Sequence, residues 1–121
     1  MKVIVVGATG TIGRAVVQAI GSRHEVIPVS FSKSAIRVDI ADRTSIVKMF
    51  EATGRVDAVI SAAGLAKFGP MNSLTDADFA VGLESKLMGQ VNLVRSGVDY
   101  LNDNGSITLT SGILSRKPMA G

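Results

Sequence analysis

Three glycines at a spacing of three, Gly7-Ala8-Thr9-Gly10-Thr11-Ile12-Gly13, stand directly behind an apolar run and directly ahead of a segment of helical period. That arrangement suits the binding of a phosphate-rich anion. Gly7 permits a tight turn, Gly10 lets backbone approach a pyrophosphate with no Cβ in the way, and Gly13 lets the helix pack close to the strand. A helix N-terminus adds unpaired N–H groups and a partial positive charge. Thr9 and Thr11 add hydroxyl donors. We therefore read Gly7, Thr9, Gly10, Thr11, Ile12 and Gly13 as a cradle for a dinucleotide pyrophosphate. The other reading is a glycine-rich turn that serves packing only. A phosphoryl-transfer loop would need Gly-Lys-Ser/Thr at its end. Gly13 is followed by Arg14-Ala15, which speaks against it.

An acid that holds an adenosine ribose is expected about 20 residues further on, at the end of the second strand. The residues there are Ser30-Phe31-Ser32-Lys33-Ser34, with no Asp or Glu. A carboxylate repels a 2′-phosphate, whereas Ser30, Ser32 and Lys33 favour it. This points to NADP, with NAD as the alternative. Lys33 on a solvated loop that touches nothing remains a second reading.

The elements that must position these groups follow from periodicity. Lys2 to Val6 is apolar on both faces, as a strand inside a parallel sheet must be. Thr11 to Ile20 has helical period, with Ile12, Val16, Ala19 and Ile20 on one face, and Gly21 stops it. Glu25 to Val29 and Ile36 to Val38 read as strands. Asp42 caps a helix running to about Thr53, with Ile46, Val47 and Phe50 inward. Val56 to Ile60 is the fourth strand. Thr75 and Asp78 form a capping box ahead of a long helix, Phe79 to Leu101. Its apolar stripe, Leu83, Leu87, Val91, Val94, Val98 and Leu101, predicts the inner face, with Gly82, Gly89 and Gly97 as places of close approach. Asn104-Gly105 marks a turn, and Ser106 to Thr110 is the fifth strand. Strands alternating with helices call for a doubly wound parallel α/β sheet with right-handed crossovers, in the Rossmann order 3-2-1-4-5.

The totals set limits. The chain has 121 residues, 46% hydrophobic and 19% charged, which fits one globular domain. There is no cysteine and one histidine, His24, so disulfides, thiolate metal sites and histidine clusters are excluded, and no metal is expected. The absence of thiols and of a leader-like opening suggests a cytoplasmic protein with no membrane segment. The net charge of +3 comes from scattered residues without interleaved aromatics, so no nucleic-acid partner is expected. His24 reads as a surface turn residue, and Asp76 and Asp78 as helix-start residues.

At this point the sequence resembles the short-chain dehydrogenase/reductase family, over essentially all 121 residues, which cover the front half of a typical member. The glycine spacing is nearer the extended and atypical branches. Asp39-Ile40 resembles the Asp-Val pair that meets the adenine ring. Ser61-Ala62-Ala63-Gly64 resembles the Asn-Asn-Ala-Gly turn that lines the cofactor, with Ser and Ala in place of the amides. Ile107-Thr108-Leu109-Thr110-Ser111-Gly112 resembles the fifth strand ending in the catalytic serine, which makes Ser111 the catalytic candidate. An ungapped match puts Gly112 there instead, and Ser115 is close by.

The departures are as informative. The family's Tyr-x-x-x-Lys acid is absent from this chain. Tyr100 precedes Ser111 and is followed four residues on by Asn104, so it reads as structural. The family's helix asparagine is replaced by Lys86. Lys67, Phe68 and Met71 are candidate pocket walls. The resemblance thus implies one NAD(P)-binding Rossmann domain over residues 1–121, truncated before the C-terminal part. The function it implies is an NADP(H)-dependent oxidoreductase moving a hydride to or from a small carbonyl or alcohol substrate. A non-catalytic dinucleotide-binding sensor is the alternative, and a sugar-nucleotide epimerase of the extended branch is a third reading. The resemblance also implies a homodimer or homotetramer packed through the long helix.

Overall fold

A computed structural model describes residues 1–63 and 71–110. Five parallel strands form one sheet in the order β3-β2-β1-β4-β5: β1 Lys2–Val6, β2 Glu25–Ser30, β3 Ile36–Arg37, β4 Val56–Ser61 and β5 Leu101–Thr108. This is the expected Rossmann-type architecture. β1 sits at the centre because its side chains are apolar on both faces. Ile4 and Val6 enter one core with Val29, Ile46, Phe50, Val59 and Leu93. Val3 and Val5 enter the other with Ala8 and Ala58, under Val16, Val17 and Ile20.

Helix α1, Thr11–Ile20, covers the second core through Gly13, Val16, Val17 and Ile20. This corrects the sequence reading, since Ile12 is 58% exposed and Ala19 also faces outward. The true face runs i, i+3, i+4, i+7 from the glycine. Helix α2, Arg43–Thr53, is capped as expected, with the Asp42 side chain accepting from Thr44 N at 3.0 Å. Its buried face is Ile46, Met49, Phe50 and Thr53, so Met49 takes the place expected of Val47.

The long helix is not one regular α-helix. The Thr75–Asp78 capping box opens α3, Asp76–Val81. A π-helical segment, Gly82–Leu87, follows, then α4, Met88–Gly97, and a 3₁₀ turn, Val98–Tyr100. The stripe expected inside points outward: Leu83 is 57% exposed, Leu87 54% and Val98 53%. Ser85, Gly89, Gln90, Leu93 and Gly97 are buried instead. Glycine makes this the inner face. A Cβ on Gly89 would stand 2.8 Å from the Ile40 side chain, and one on Gly97 2.9 Å from the Phe50 ring. Gly82, by contrast, faces open space.

β5 begins at Leu101, earlier than expected. Against β4 it pairs Val56 with Leu101 and then Ala58 with Ser106, so extra residues bulge out of the ladder between those pairs. Asn104, at φ 63°, lies in that bulge. The Asn-Gly signal therefore marks an irregularity within the strand, not a turn before it. The bulge is held by Arg55, whose guanidinium donates to the carbonyls of Leu101 at 2.8 Å and Asp99 at 3.3 Å. Asp57 bonds Lys2 N at 2.8 Å and Asn102 Nδ2 at 3.0 Å. Those two donors, the backbone one first, hold its carboxyl below the usual value. Tyr100 stacks on Phe50, with ring centroids 5.2 Å apart, a packing position. Among the described residues no helix is long and apolar enough to cross a membrane, and no group of His, Asp or Glu residues is placed to hold a metal ion.

Candidate functional site

At the carboxyl edge of the sheet, where open α/β sheets bind their ligands, a cleft of about 380 Å³ opens over the end of β1. Val6, Gly7, Thr9 and Gly10 form its floor, Ser30 and Phe31 one side, and Val38, Asp39 and Ile40 another. Ala62 and Ala63 after β4 and Ser85 on the π segment close it. Eight of the residues singled out in the sequence thus meet here: Gly7, Thr9, Gly10, Ser30, Asp39, Ile40, Ala62 and Ala63.

The glycine turn is built by backbone bonds. Gly7 N and Ala8 N both donate to Val29 O, at 2.8 and 3.1 Å, and tie the turn to the end of β2. Gly7 has φ +83°, the left-handed region that glycine tolerates. A Cβ on Gly7 would also stand 2.7 Å from Ala62 O. Gly13 lies beneath, buried, where a Cβ would fall 1.9 Å from Gly7 O. Gly10 differs from both. It caps α1 with extended backbone and no side-chain cap bond, and a Cβ there would meet only Gly7 O at 3.5 Å. It borders the cleft, not the core. The first-turn N–H groups of Thr11, Ile12 and Gly13 have no helical carbonyl to pair with. Arg14 Nη2 donates to Thr9 O at 2.8 Å and brings a cation to the same turn. A glycine floor with free N–H groups beside a positive charge fits a pyrophosphate.

Ser30 is buried, and its Oγ accepts from Lys33 N at 2.8 Å, which curls the segment after β2 into a turn. Ser32 and Lys33 lie exposed on that turn and are not part of the cleft wall. Arg37 pairs in register with Ser30 across β2 and β3, a second exposed cation that the sequence reading did not single out. Asp39 is exposed, and its Oδ1 accepts from Ala41 N at 3.0 Å. Ser61 is fully buried below the cleft, and its Oγ has no hydrogen-bond partner. Thr11 and Ile12 are exposed on the first turn of α1 and do not line the cleft. Gly64 and Ser111, as well as Lys67, Phe68, Gly112 and Ser115, lie outside the described residues.

Phe31 and Ser85 are cleft residues that sequence reasoning missed. Phe31 is an aromatic left 72% exposed at the mouth. Ser85 reaches the cleft on the π segment, and no local sequence signal announces a π turn. Lys86 beside it is half-buried.

The profile of the NAD dependent epimerase/dehydratase family matches residues 3–103. The crystal structure of the protein lin1944 from Listeria innocua superposes with a TM-score of 0.94 at 47% identity, over 98% of this chain and 59% of that one. A small-chain dehydrogenase crystallised in complex with NADPH gives 0.89 at 33% identity, over 99% and 54%. Versicolorin reductase 1 of Aspergillus parasiticus is 27% identical over 89% of this chain and 50% of its own length. The short chain dehydrogenase claC of Passalora fulva is 29% identical over 68% and 32%. The chain thus spans a third to a half of the length of these curated relatives.

Proposed function

Because the chain belongs to the NAD dependent epimerase/dehydratase family, as a Rossmann portion of the short-chain dehydrogenase/reductase type, we propose that it binds NADP(H) for an oxidoreductase acting on a small carbonyl or alcohol. The observation that carries the proposal is the glycine turn at the end of β1, opening into a cleft walled by the ends of β2, β3 and β4. Thr9 and the first-turn N–H groups of α1 take the pyrophosphate. Asp39 accepts from the adenine amine and Ile40 lies against the ring. Ser61, Ala62, Ala63 and Gly64 form the turn along which the cofactor lies. Ser111 donates to the substrate carbonyl and polarises it. When bound, the nicotinamide supplies or accepts the hydride.

The preference for NADP rests on Ser30, Ser32 and Lys33 in place of an acid, with Arg37 in register beside them. The NADPH-bound dehydrogenase at 33% identity supports it. Calorimetric titration of the protein with NADPH and with NADH tests it. We expect NADPH to bind at least about tenfold tighter, about 1.4 kcal/mol. Lys33→Glu should remove about that factor for NADPH and leave NADH binding unchanged. Tighter NADH keeps the dinucleotide reading and overturns the choice of cofactor.

Leu83, Leu87 and Val98 form an exposed apolar stripe along the helix that the family resemblance places at a subunit contact. We expect a homodimer or homotetramer, read by sedimentation velocity; a monomer at micromolar concentration removes this part of the proposal.

A further inference from the structure

The first turn of α1 carries a charge that works against a helix. A helix N-terminus has a partial positive charge, so acids steady it and cations oppose it. Helix α1 has no acid in its first turn, and Arg14 stands there instead. Arg14 is exposed, and among the described residues no carboxylate pairs with it.

The side chain is nonetheless anchored. Its Nη2 donates to Thr9 O at 2.8 Å, and its backbone N donates to Gly10 O at 2.9 Å. Gly10 N donates to Gly7 O at 3.1 Å. Both polar ends of the peptide that joins Thr9 to Gly10 are therefore fixed. A carbonyl oxygen left free beside a pyrophosphate would repel it. Here the oxygens of Gly7, Thr9 and Gly10 are each occupied by a donor, two of them by Arg14. Thr9 and Gly10 line the cleft, so the guanidinium stands one hydrogen bond from its floor. A guanidinium has more N–H groups than this one bond uses, and the others have no partner among the described residues.

We propose that Arg14 is a positioning residue for the pyrophosphate: it fixes the Thr9–Gly10 peptide, occupies the Thr9 oxygen, and adds a cation to the partial charge of α1. This role rests on the dinucleotide reading above. It is indifferent to the choice between NADP and NAD, because the pyrophosphate is common to both.

The full-length protein and its Arg14→Met and Arg14→Lys variants are titrated with NADPH and with NADH, and each is melted without ligand. Arginine and methionine have nearly equal helix propensity. Arg14→Met is expected to weaken both dinucleotides about tenfold in about 0.05 M salt, with their ratio unchanged. In about 0.5 M salt the loss should shrink to about threefold or less, because screening weakens exposed charges. Arg14→Lys keeps a cation that can donate to Thr9 O and should bind within about threefold of the parent. The melting temperature of Arg14→Met should hold or rise, since a cation leaves the positive end of a helix. A residue that merely supports the turn gives the other pattern: a lower melt, a loss that salt does not change, and no rescue by lysine. Any one of these overturns the role of Arg14, as does undiminished affinity of Arg14→Met in low salt while the parent binds. If the parent binds neither dinucleotide, the dinucleotide reading itself fails and the role of Arg14 falls with it.

Discussion

Gly10→Ala is expected to weaken NADPH binding by about a hundredfold, about 2.7 kcal/mol, while leaving the melting temperature where it was. Gly10 has φ −78° and ψ 175°, a conformation alanine adopts without strain. Its added Cβ would meet nothing in the protein nearer than Gly7 O at 3.5 Å, an ordinary contact. No steric strain lowers the fold's stability; alanine is a poorer helix N-cap than glycine, and the smaller entropy of the unfolded chain offsets that cost. The same methyl group stands on the cleft floor beside the first-turn N–H groups of α1, where a pyrophosphate must come within hydrogen-bond distance. Titration calorimetry and a thermal melt on the same preparation read both halves of the expectation. Undiminished NADPH affinity would mean that the glycine turn serves packing only.

Much of the frame was legible because its signals are local. The β1 run, the three-glycine turn, the Asp42 cap and the Thr75–Asp78 box each lie within a few residues of the structure they specify. What failed was the assignment of faces. An apolar stripe shows that a helix has something to cover, but not which partner covers it. On α3 to α4 the stripe of Leu83, Leu87 and Val98 looks outward, while Gly89 and Gly97 admit Ile40 and Phe50 on the inner side. Close approach through glycine leaves no hydrophobic signature, so periodicity alone selected the wrong side. Gln90, a polar residue buried on the same inner side, was not singled out because a hydrophobic pattern carries no signal for a polar group. On α1 the contact is again made by a glycine, and Ile12 drew the reading toward itself.

The site was legible to the degree that backbone makes it. Gly7, Gly10, Ala62 and Ala63 are cleft residues because their smallness shapes a turn, and small residues at fixed offsets are visible in a sequence. Ser85 is brought in by a π turn, which depends on tertiary packing. Arg37 reaches the end of β2 by strand pairing, which needs the register. Asn104-Gly105 was a correct signal for left-handed backbone that the β4–β5 pairing absorbed as a bulge.

Gly13→Ala should do the opposite of Gly10→Ala in its effect on the fold. The new Cβ would fall 1.9 Å from Gly7 O, 2.6 Å from Gly7 C and 3.0 Å from Ala8 Cα. All three are backbone atoms and no rotamer change relieves them. Helix α1 must lift from β1, which withdraws Val16, Val17 and Ile20 from Val3, Val5 and Ala8. Overpacking typically costs about 1–3 kcal/mol, and a clash with rigid backbone belongs at the upper end, about 3 kcal/mol. The melting temperature should drop on the order of 10 °C, and NADPH affinity should fall with it because the N–H groups of the first turn move with the helix. An unaltered melt would mean that α1 does not approach β1 this closely. The two substitutions, three residues apart in one motif, thereby separate its two physical jobs. A turn that only packs is sensitive at Gly13 and indifferent at Gly10; a turn that packs and binds loses affinity at both and stability at one.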